Sequence, residues 1–336
     1  MEWNNKSILI TGGTGSFATN FIQFLLRHHT PKVIRLYSRD EHKQTQFLGN
    51  YGGVKGDNGV PVRGFIGDVR DIERLRMAME GIDIVIHAAA LKQVQSCEYN
   101  PLETIKTNIY GSQNVVQAAL DSDVEKVLAI STDKAVAPLN LYGSTKMVME
   151  RLFINANSYR GKNHRTKFSC TRYGNVADSR GTVVHIWKEK LSKGEAIPIT
   201  RWDATRFWIT MEEANRFVME CVELMDKFDG GEIFCPRMGA VTLASIFNSM
   251  TDLNYPVDQI GERIGDKLHE DLILKEEIPY TTLFDNKYVI MPQSPTWPYT
   301  RPIHISPNVP AGCNISSKNN DVYFDSDKIR QTLQGK

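Results

Sequence analysis

The sequence predicts an α/β fold, a doubly wound parallel sheet carrying a smaller, discontinuous C-terminal lobe. Three observations predict it. Short apolar runs alternate with helix-like segments through the first half of the chain, a glycine turn joins the first run to the first helix, and the alternation stops after Asn175. A parallel sheet covered by helices on both faces requires such alternation.

Strands are expected at 7–11, 32–37, 62–66, 82–87, 126–131 and 167–171, each a short run bounded by polar or turn residues. Helices are expected at 17–27, where Phe21, Ile22, Phe24 and Leu25 supply an apolar face, and at 72–79, 101–121 and 141–159. Pro101 opens the third of these at a favoured first-turn position. Beyond Asn175, Gly, Pro and Trp are scattered through 180–208, followed by an expected helix near 211–227 and a strand at 230–234 that returns to the sheet. The expected division is therefore a nucleotide-binding domain of residues 1–178 plus about 211–235, with the lobe and tail from 179–210 and 236–336. Prolines 292, 295, 298, 302, 307 and 310 make that stretch irregular.

Forty basic and thirty-nine acidic side chains leave a net charge of +1, so no global field recruits nucleic acid or an anionic membrane. Five widely spaced cysteines without a C-x-x-C pair suit reduced thiols and neither zinc nor a redox couple. No signal-peptide pattern opens the sequence and no apolar run reaches membrane-spanning length, so a soluble, cytoplasmic protein is expected. His87 and His185 are read as structural, and no metal is expected.

The segment from Ile8 to Ala18 reads strand, glycine turn, helix. Its glycines let backbone NH groups approach a pyrophosphate at the positive end of a helix, which makes Gly12, Thr14, Gly15, Ser16 and Phe17 candidate cofactor contacts in a Rossmann-type sheet. Ala18 stands where close helix–strand packing demands a small residue. An acid at the end of the second strand would favour NAD. Here Ser38 and Arg39, with Lys43 a turn later, suit an extra phosphate, so NADP is expected, and Asp40 is a further candidate cofactor contact. Asp68 and Val69 after the third strand, and Ala88 and Ala89 after the fourth, fall near the adenine edge and where the cofactor backbone passes.

Tyr142 and Lys146 are four apart on an expected helix and share one face. A lysine beside a phenol favours phenolate, a base for a sugar hydroxyl. This pair follows the fifth strand and the hydroxyls of Ser131 and Thr132, the edge where a doubly wound sheet presents its ligand.

With the glycine loop and this strip together, the chain resembles the extended short-chain dehydrogenase/reductase family. Ser131-Thr132-Asp133-Lys134-Ala135 followed by Tyr142-Gly143-Ser144-Thr145-Lys146 is similar to the UDP-N-acetylglucosamine 4,6-dehydratases that invert C5. Further matching segments include Ser38 to Glu41, His87 to Lys92, Cys97 to Pro101, Lys106 to Asn108, Arg172 to Val176, Thr205 to Trp208 and Lys267 to Glu270. The resemblance runs from about Ser7 to Ile290.

It implies catalysis by Thr132, Asp133, Lys134, Tyr142 and Lys146, with Lys92, Ser131 and Val176 among the cofactor contacts. It also implies substrate contacts at Lys92, Thr132, Asn175, Arg206, Arg263 and Asp266, the last two within an R-x-G-[DE] element that binds diphosphate and ribose. NADP would oxidise C4, Tyr142 would take the hydroxyl proton, and Lys134 would take the C5 proton as a neutral amine whose pKa burial or Lys146 and Lys92 lower. A protonated Asp133 would release the C6 hydroxyl. The partner is UDP-N-acetylglucosamine, and a homo-oligomer through helices 101–121 and 141–159 is implied.

Arg201-Trp202-Asp203-Ala204 departs from the family's usual Asp-Pro-Arg-Met, and the tail from Thr296 matches poorly. A C5-retaining dehydratase is the alternative among enzymes, ahead of a 4-epimerase or ketoreductase. A catalytically silent NADP-sensing protein is the alternative outside them, against which the intact catalytic strip speaks.

Overall fold

The computed structural model describes residues 3–49, 59–161, 165–177, 179, 181–252, 254–263, 265–300 and 314–333. Six strands, β1 (Ser7–Thr11), β2 (Val33–Ser38), β3 (Val62–Ile66), β4 (Ile84–His87), β5 (Lys126–Ile130) and β6 (Lys167–Thr171), lie in the order β3-β2-β1-β4-β5-β6 with every neighbouring pair parallel. All positions of β1 and β4 are buried, as central strands covered on both faces must be. The strand order reverses between β1 and β4, which opens a crevice at their carboxyl ends.

The expected strand at 230–234 forms as Ile233–Pro236 and pairs parallel to β6. Its later start has a backbone cause: Gly230 and Gly231 both take φ of 94°, a left-handed conformation foreign to a strand. An antiparallel hairpin, Thr281–Phe284 and Lys287–Ile290, completes a nine-stranded sheet.

Helix α1 (Ser16–His28) buries Phe21, Ile22, Phe24 and Leu25, the face its spacing predicts. The expected single helix at 101–121 is instead interrupted: α-helix Pro101–Ile105, a π-turn Lys106–Tyr110, then α-helix Gly111–Asp121. The irregular reading of 180–208 also needs correction. It contains the helix Val183–Ser192, anchored by Val184 and Trp187, and strands Ile197–Ile199 and Thr205–Ile209.

A second apolar cluster, separate from the main one, joins Val184, Trp187, Ile197 and Trp208 to Val241, Ile246, Phe247 and Ile329. The described part of the tail packs back on its own chain. Strand Ile315–Ser316 pairs with Asp271–Ile273, and helix Ser326–Leu333 buries Ile329 while Arg330 Nε donates to the Ser249 carbonyl at 3.2 Å. Pro302, Pro307, Pro310 and Cys313 fall outside the described residues; the other four cysteines are buried and free. No helix among the described residues is long and apolar enough to cross a membrane.

Candidate active site

A cavity of about 890 Å³ opens at the carboxyl ends of the central strands, where Gly12 follows β1, Ser38 ends β2, Ala88 follows β4 and Ser131 follows β5. Gly12 takes φ of 67°, and a Cβ placed on it would lie 2.9 Å from the Ala89 backbone, so only glycine lets the two loops meet. Gly15 N–H closes the turn on the Gly12 carbonyl at 2.8 Å, and α1 begins at Ser16 with its free NH groups toward the cavity. Ala18 is fully packed.

At the cavity rim, Gln44 donates to Ser38 Oγ at 2.9 Å, Lys43 pairs with Asp40 at 2.8 Å and Arg39 lies 3.9 Å from Asp68. Arg70 grips that same Asp68 carboxylate at 2.7 Å. His87 links β4 to its surroundings, contacting Thr11 Oγ1 at 2.8 Å and Ser112 Oγ at 3.0 Å. Burial lowers its pKa to about 3, so it stays neutral. The loop after β4 hangs on buried Asn108, presented by the π-turn, which both accepts from Leu91 N at 2.8 Å and donates to Leu91 O at 2.9 Å.

The strip from Ser131 to Lys146 is built by two local devices. Thr132 caps a short 3₁₀ turn, Asp133–Ala135, and Asn140 caps the helix Leu141–Ala156 by accepting from Gly143 N at 2.8 Å. The turn and the helix pack so closely that a Cβ on Gly143 would sit 2.1 Å from the Lys134 carbonyl oxygen. Lys134 Nζ donates to Asp133 Oδ1 at 3.0 Å and to Asn175 Oδ1 at 3.1 Å, and lies 3.6 Å from Glu270 Oε1. Thr132 Oγ1 donates to the same Asp133 Oδ1 at 2.9 Å, whereas Oδ2 is buried and accepts no hydrogen bond among the described residues. Asn175 reaches this cluster because the strand Asn175–Val176 pairs with Thr205–Ile209.

The charges differ from those expected of the sequence. Burial alone would lower the Lys134 pKa, but the Asp133 and Glu270 carboxylates outweigh it and hold the ammonium well above its ordinary value. Burial raises Asp133, and Glu270 adds to that, with Lys134 opposing. Lys146 Nζ donates to the Ile130 carbonyl at 2.5 Å, and burial lowers its pKa to about 8. Burial pushes the Tyr142 phenol up to about 12, and the cation that opposes this is Lys134.

Of the candidate residues named from the sequence, all line this one cavity except two. Asp133 lies one layer behind the wall, fully buried. Arg206 is not part of the lining, and its Nη1 donates to the Thr205 and Leu268 carbonyls at 2.8 and 3.2 Å, so that nitrogen braces the backbone there. Arg263 and Asp266 reach the cavity on a loop that Asn140 Nδ2 holds by donating to Gly265 O at 2.8 Å. Arg201 ties this loop to its own by pairing with Glu262 at 2.7 Å and Asp203 at 2.8 Å, which gives the departing 201–204 segment a bracing position. Asn140→Ala is expected to cost about 1 kcal/mol of stability, the typical worth of such a cap; an unchanged unfolding midpoint would count against it.

A family model described as polysaccharide biosynthesis protein matches residues 8–292, most of the chain. The chain belongs to this family of extended short-chain dehydrogenases/reductases. It is 46% identical to the UDP-N-acetylglucosamine 4,6-dehydratase (inverting) of Campylobacter jejuni subsp. jejuni serotype O:23/36, over 86% of this chain and 84% of that one. It is 38% identical to a Rickettsia bellii UDP-glucose 4-epimerase, over 85% of this chain and 83% of that one. Among solved structures, Pen from Bacillus thuringiensis superposes with a TM-score of 0.87 at 31% identity, covering 100% of both chains.

Within this family member the sequence reading missed Asn108 and Glu270 as parts of the site. Both stood inside quoted segments, and both are buried polar residues whose partners are remote in sequence: Leu91 for one, Lys134 for the other.

Proposed function

We propose that this chain is an NADP-dependent UDP-N-acetylglucosamine 4,6-dehydratase that inverts C5, a cytoplasmic enzyme of polysaccharide or glycan biosynthesis. The observation that carries the reading is the Asp133–Lys134 pair, joined at 3.0 Å beside the cavity that also holds Tyr142. Family membership and the inverting dehydratase relatives support it.

A dinucleotide fits the residues present. The Gly12 approach to Ala89 and the start of α1 suit a pyrophosphate, and Ser38, Arg39 and Lys43 offer a hydroxyl and two cations at the rim for a further phosphate. When bound, NADP supplies hydride acceptance at C4 and hydride return at C6. Arg39→Ala is expected to weaken NADPH binding roughly ten- to hundredfold, since hydrogen bonds to charged groups are worth about 1.5–3 kcal/mol, with NADH binding little changed. Fluorescence titration of both cofactors checks this.

On this reading Tyr142 accepts the C4 hydroxyl proton, Lys134 accepts the C5 proton, and Asp133 gives a proton to the C6 hydroxyl as water leaves. The ammonium–carboxylate and amine–acid forms of the Asp133–Lys134 pair differ only in the position of one proton along their 3.0 Å contact. Lys134 therefore needs no external base to become neutral. After the elimination the proton it took from C5 can cross the same contact to restore Asp133. The proton count closes, because the one Tyr142 took equals the one added to C5 from the opposite face. Asn175, Arg263 and Asp266 hold the nucleotide sugar, with arginine on the diphosphate.

The two-lobe division at residues 1–178 plus 211–235 belongs to the same proposal. So does a homo-oligomer, supported by Tyr99, Leu102, Tyr110 and Met147, apolar side chains exposed along and beside helices 101–121 and 141–156.

The test is incubation with UDP-N-acetylglucosamine in deuterated water, followed by NMR. Water loss with deuterium at an inverted C5 is expected. Absence of water loss overturns the dehydratase reading, and loss without C5 deuterium removes Lys134 as the exchanging base.

A further inference from the structure

We propose that Glu270 is a positioning residue for this reaction, a carboxylate that the second half of the chain delivers behind the cavity wall to hold Lys134 as it takes the C5 proton. The inference rests on the dehydratase reading above. It concerns a residue that does not itself line the cavity.

The backbone around Glu270 is fixed on both sides. Glu270 N donates to Ser317 Oγ at 2.9 Å, and Ser317 N donates to Glu270 O at 2.8 Å, just before the strand Asp271–Ile273 pairs with Ile315–Ser316. The side chain is 3% exposed. Its Oε1 lies 3.6 Å from Lys134 Nζ, and its Oε2 lies 3.8 Å from Lys267 Nζ and accepts no hydrogen bond among the described residues. Lys267 in turn donates to the Val136 carbonyl, two residues beyond Lys134, so it is held to the same turn.

A buried carboxylate left this thinly satisfied costs stability. Two carboxylates, Asp133 and Glu270, flank one ammonium, and Asp133 alone would suffice to pair it. The function of the second follows from the order of proton movements. In the amine–acid form that precedes C5 abstraction, Lys134 carries no charge and Glu270 lacks its nearest counter-ion. As the C5 proton arrives, an ammonium forms 3.6 Å from Glu270. Counted from the resting ammonium–carboxylate pair, the attraction to Lys134 is regained while the repulsion between Glu270 and the Asp133 carboxylate is relieved, because Asp133 now holds the proton. This net gain grows toward the transition state, which is the condition for raising kcat without changing KM.

The other charged and titratable groups facing Lys134 are Asp133, Arg206 and Tyr142, with Lys92 across the cavity. Arg206 opposes the Lys134 charge, and Lys92 is itself depressed by burial and then by Lys134, so neither substitutes for Glu270. Removing the Glu270 charge leaves Asp133 as the remaining carboxylate on Lys134, and the pKa of Lys134 falls.

The experiment compares the parent, Glu270→Gln and Glu270→Asp in the full chain with NADP, using UDP-N-acetylglucosamine with hydrogen or deuterium at C5. Glu270→Gln is expected to lose roughly 10–100-fold in kcat, below the effect of deleting a direct transition-state donor, with KM little changed. Its C5 isotope effect rises, and the limb of the pH profile belonging to Lys134 moves to lower pH. Glu270→Asp, which keeps the charge, recovers most of kcat. A parent that releases no water overturns the dehydratase reading and this inference with it. A parent that dehydrates while Glu270→Gln matches it in kcat, or loses activity through KM with the isotope effect and pH limb unmoved, overturns this inference alone. So does a Glu270→Asp variant more impaired than Glu270→Gln.

Discussion

Lys134→Met is expected to slow water loss by roughly 10²–10⁴-fold, the usual worth of a positioned general base. Methionine keeps the length of the stem and removes only the ammonium, so packing at the turn Asp133–Ala135 is largely retained. Oxidation at C4 depends on Tyr142 and should persist, visible as NADPH absorbance that accumulates because the next step is blocked. NMR of the substrate supplies the second reading, since deuterium should no longer enter C5. A variant that dehydrates within about tenfold of the parent would leave Lys134 a structural role alone.

The largest expected loss of stability lies behind the strip. Arg172 is buried and pairs with Glu150 at 2.8 Å and Glu277 at 2.9 Å, while Ser131 Oγ donates to Glu150 Oε1 at 2.6 Å. Arg172 Nη1 also donates to the Leu272 carbonyl at 2.9 Å. The Arg172–Glu150 pair thus ties the helix Leu141–Ala156 and the segment after residue 270 together, and through Ser131 reaches the end of β5. Arg172→Met leaves two carboxylates facing each other without a counter-ion, and breaking a buried pair in this way costs about 3–5 kcal/mol. Denaturant unfolding of the cofactor-free protein measures it. Adding Glu150→Gln and Glu277→Gln should restore much of the loss, because the penalty comes from uncompensated charge. A single-variant loss below about 1 kcal/mol would show the carboxylates finding protons or water instead.

The six central strands and the glycine turn were legible because their signals are local: an apolar run reads the same wherever it lies in the sheet. The π-turn at Lys106–Tyr110 was not, since one extra residue per turn leaves no mark in composition. The helix Val183–Ser192 was hidden because Gly181, Trp187 and Pro198 suggest irregularity, although Val184 and Trp187 pack at helical spacing. The cavity wall was legible residue by residue, whereas its charges were not. Lys134 was expected to lose its proton easily, and its neighbour Asp133 together with Glu270, 136 positions later, reverses that. Arg206 shows a related limit of the sequence. An arginine that braces carbonyls and one that binds phosphate look identical in a sequence, and only the fold of Thr205–Ile209 against Leu268 tells them apart.

The tail strand Ile315–Ser316 and the Ser317 clamp on Glu270 bear on how such a chain can be divided or recombined. A chimera that exchanged the substrate-binding half with a relative, but kept its own final residues, would set a foreign serine pair against the carboxylate behind Lys134. The last stretch of the chain therefore has to travel with residues 267–273 as one inherited unit, although more than forty positions separate Asp271 from Ile315 and Ser316.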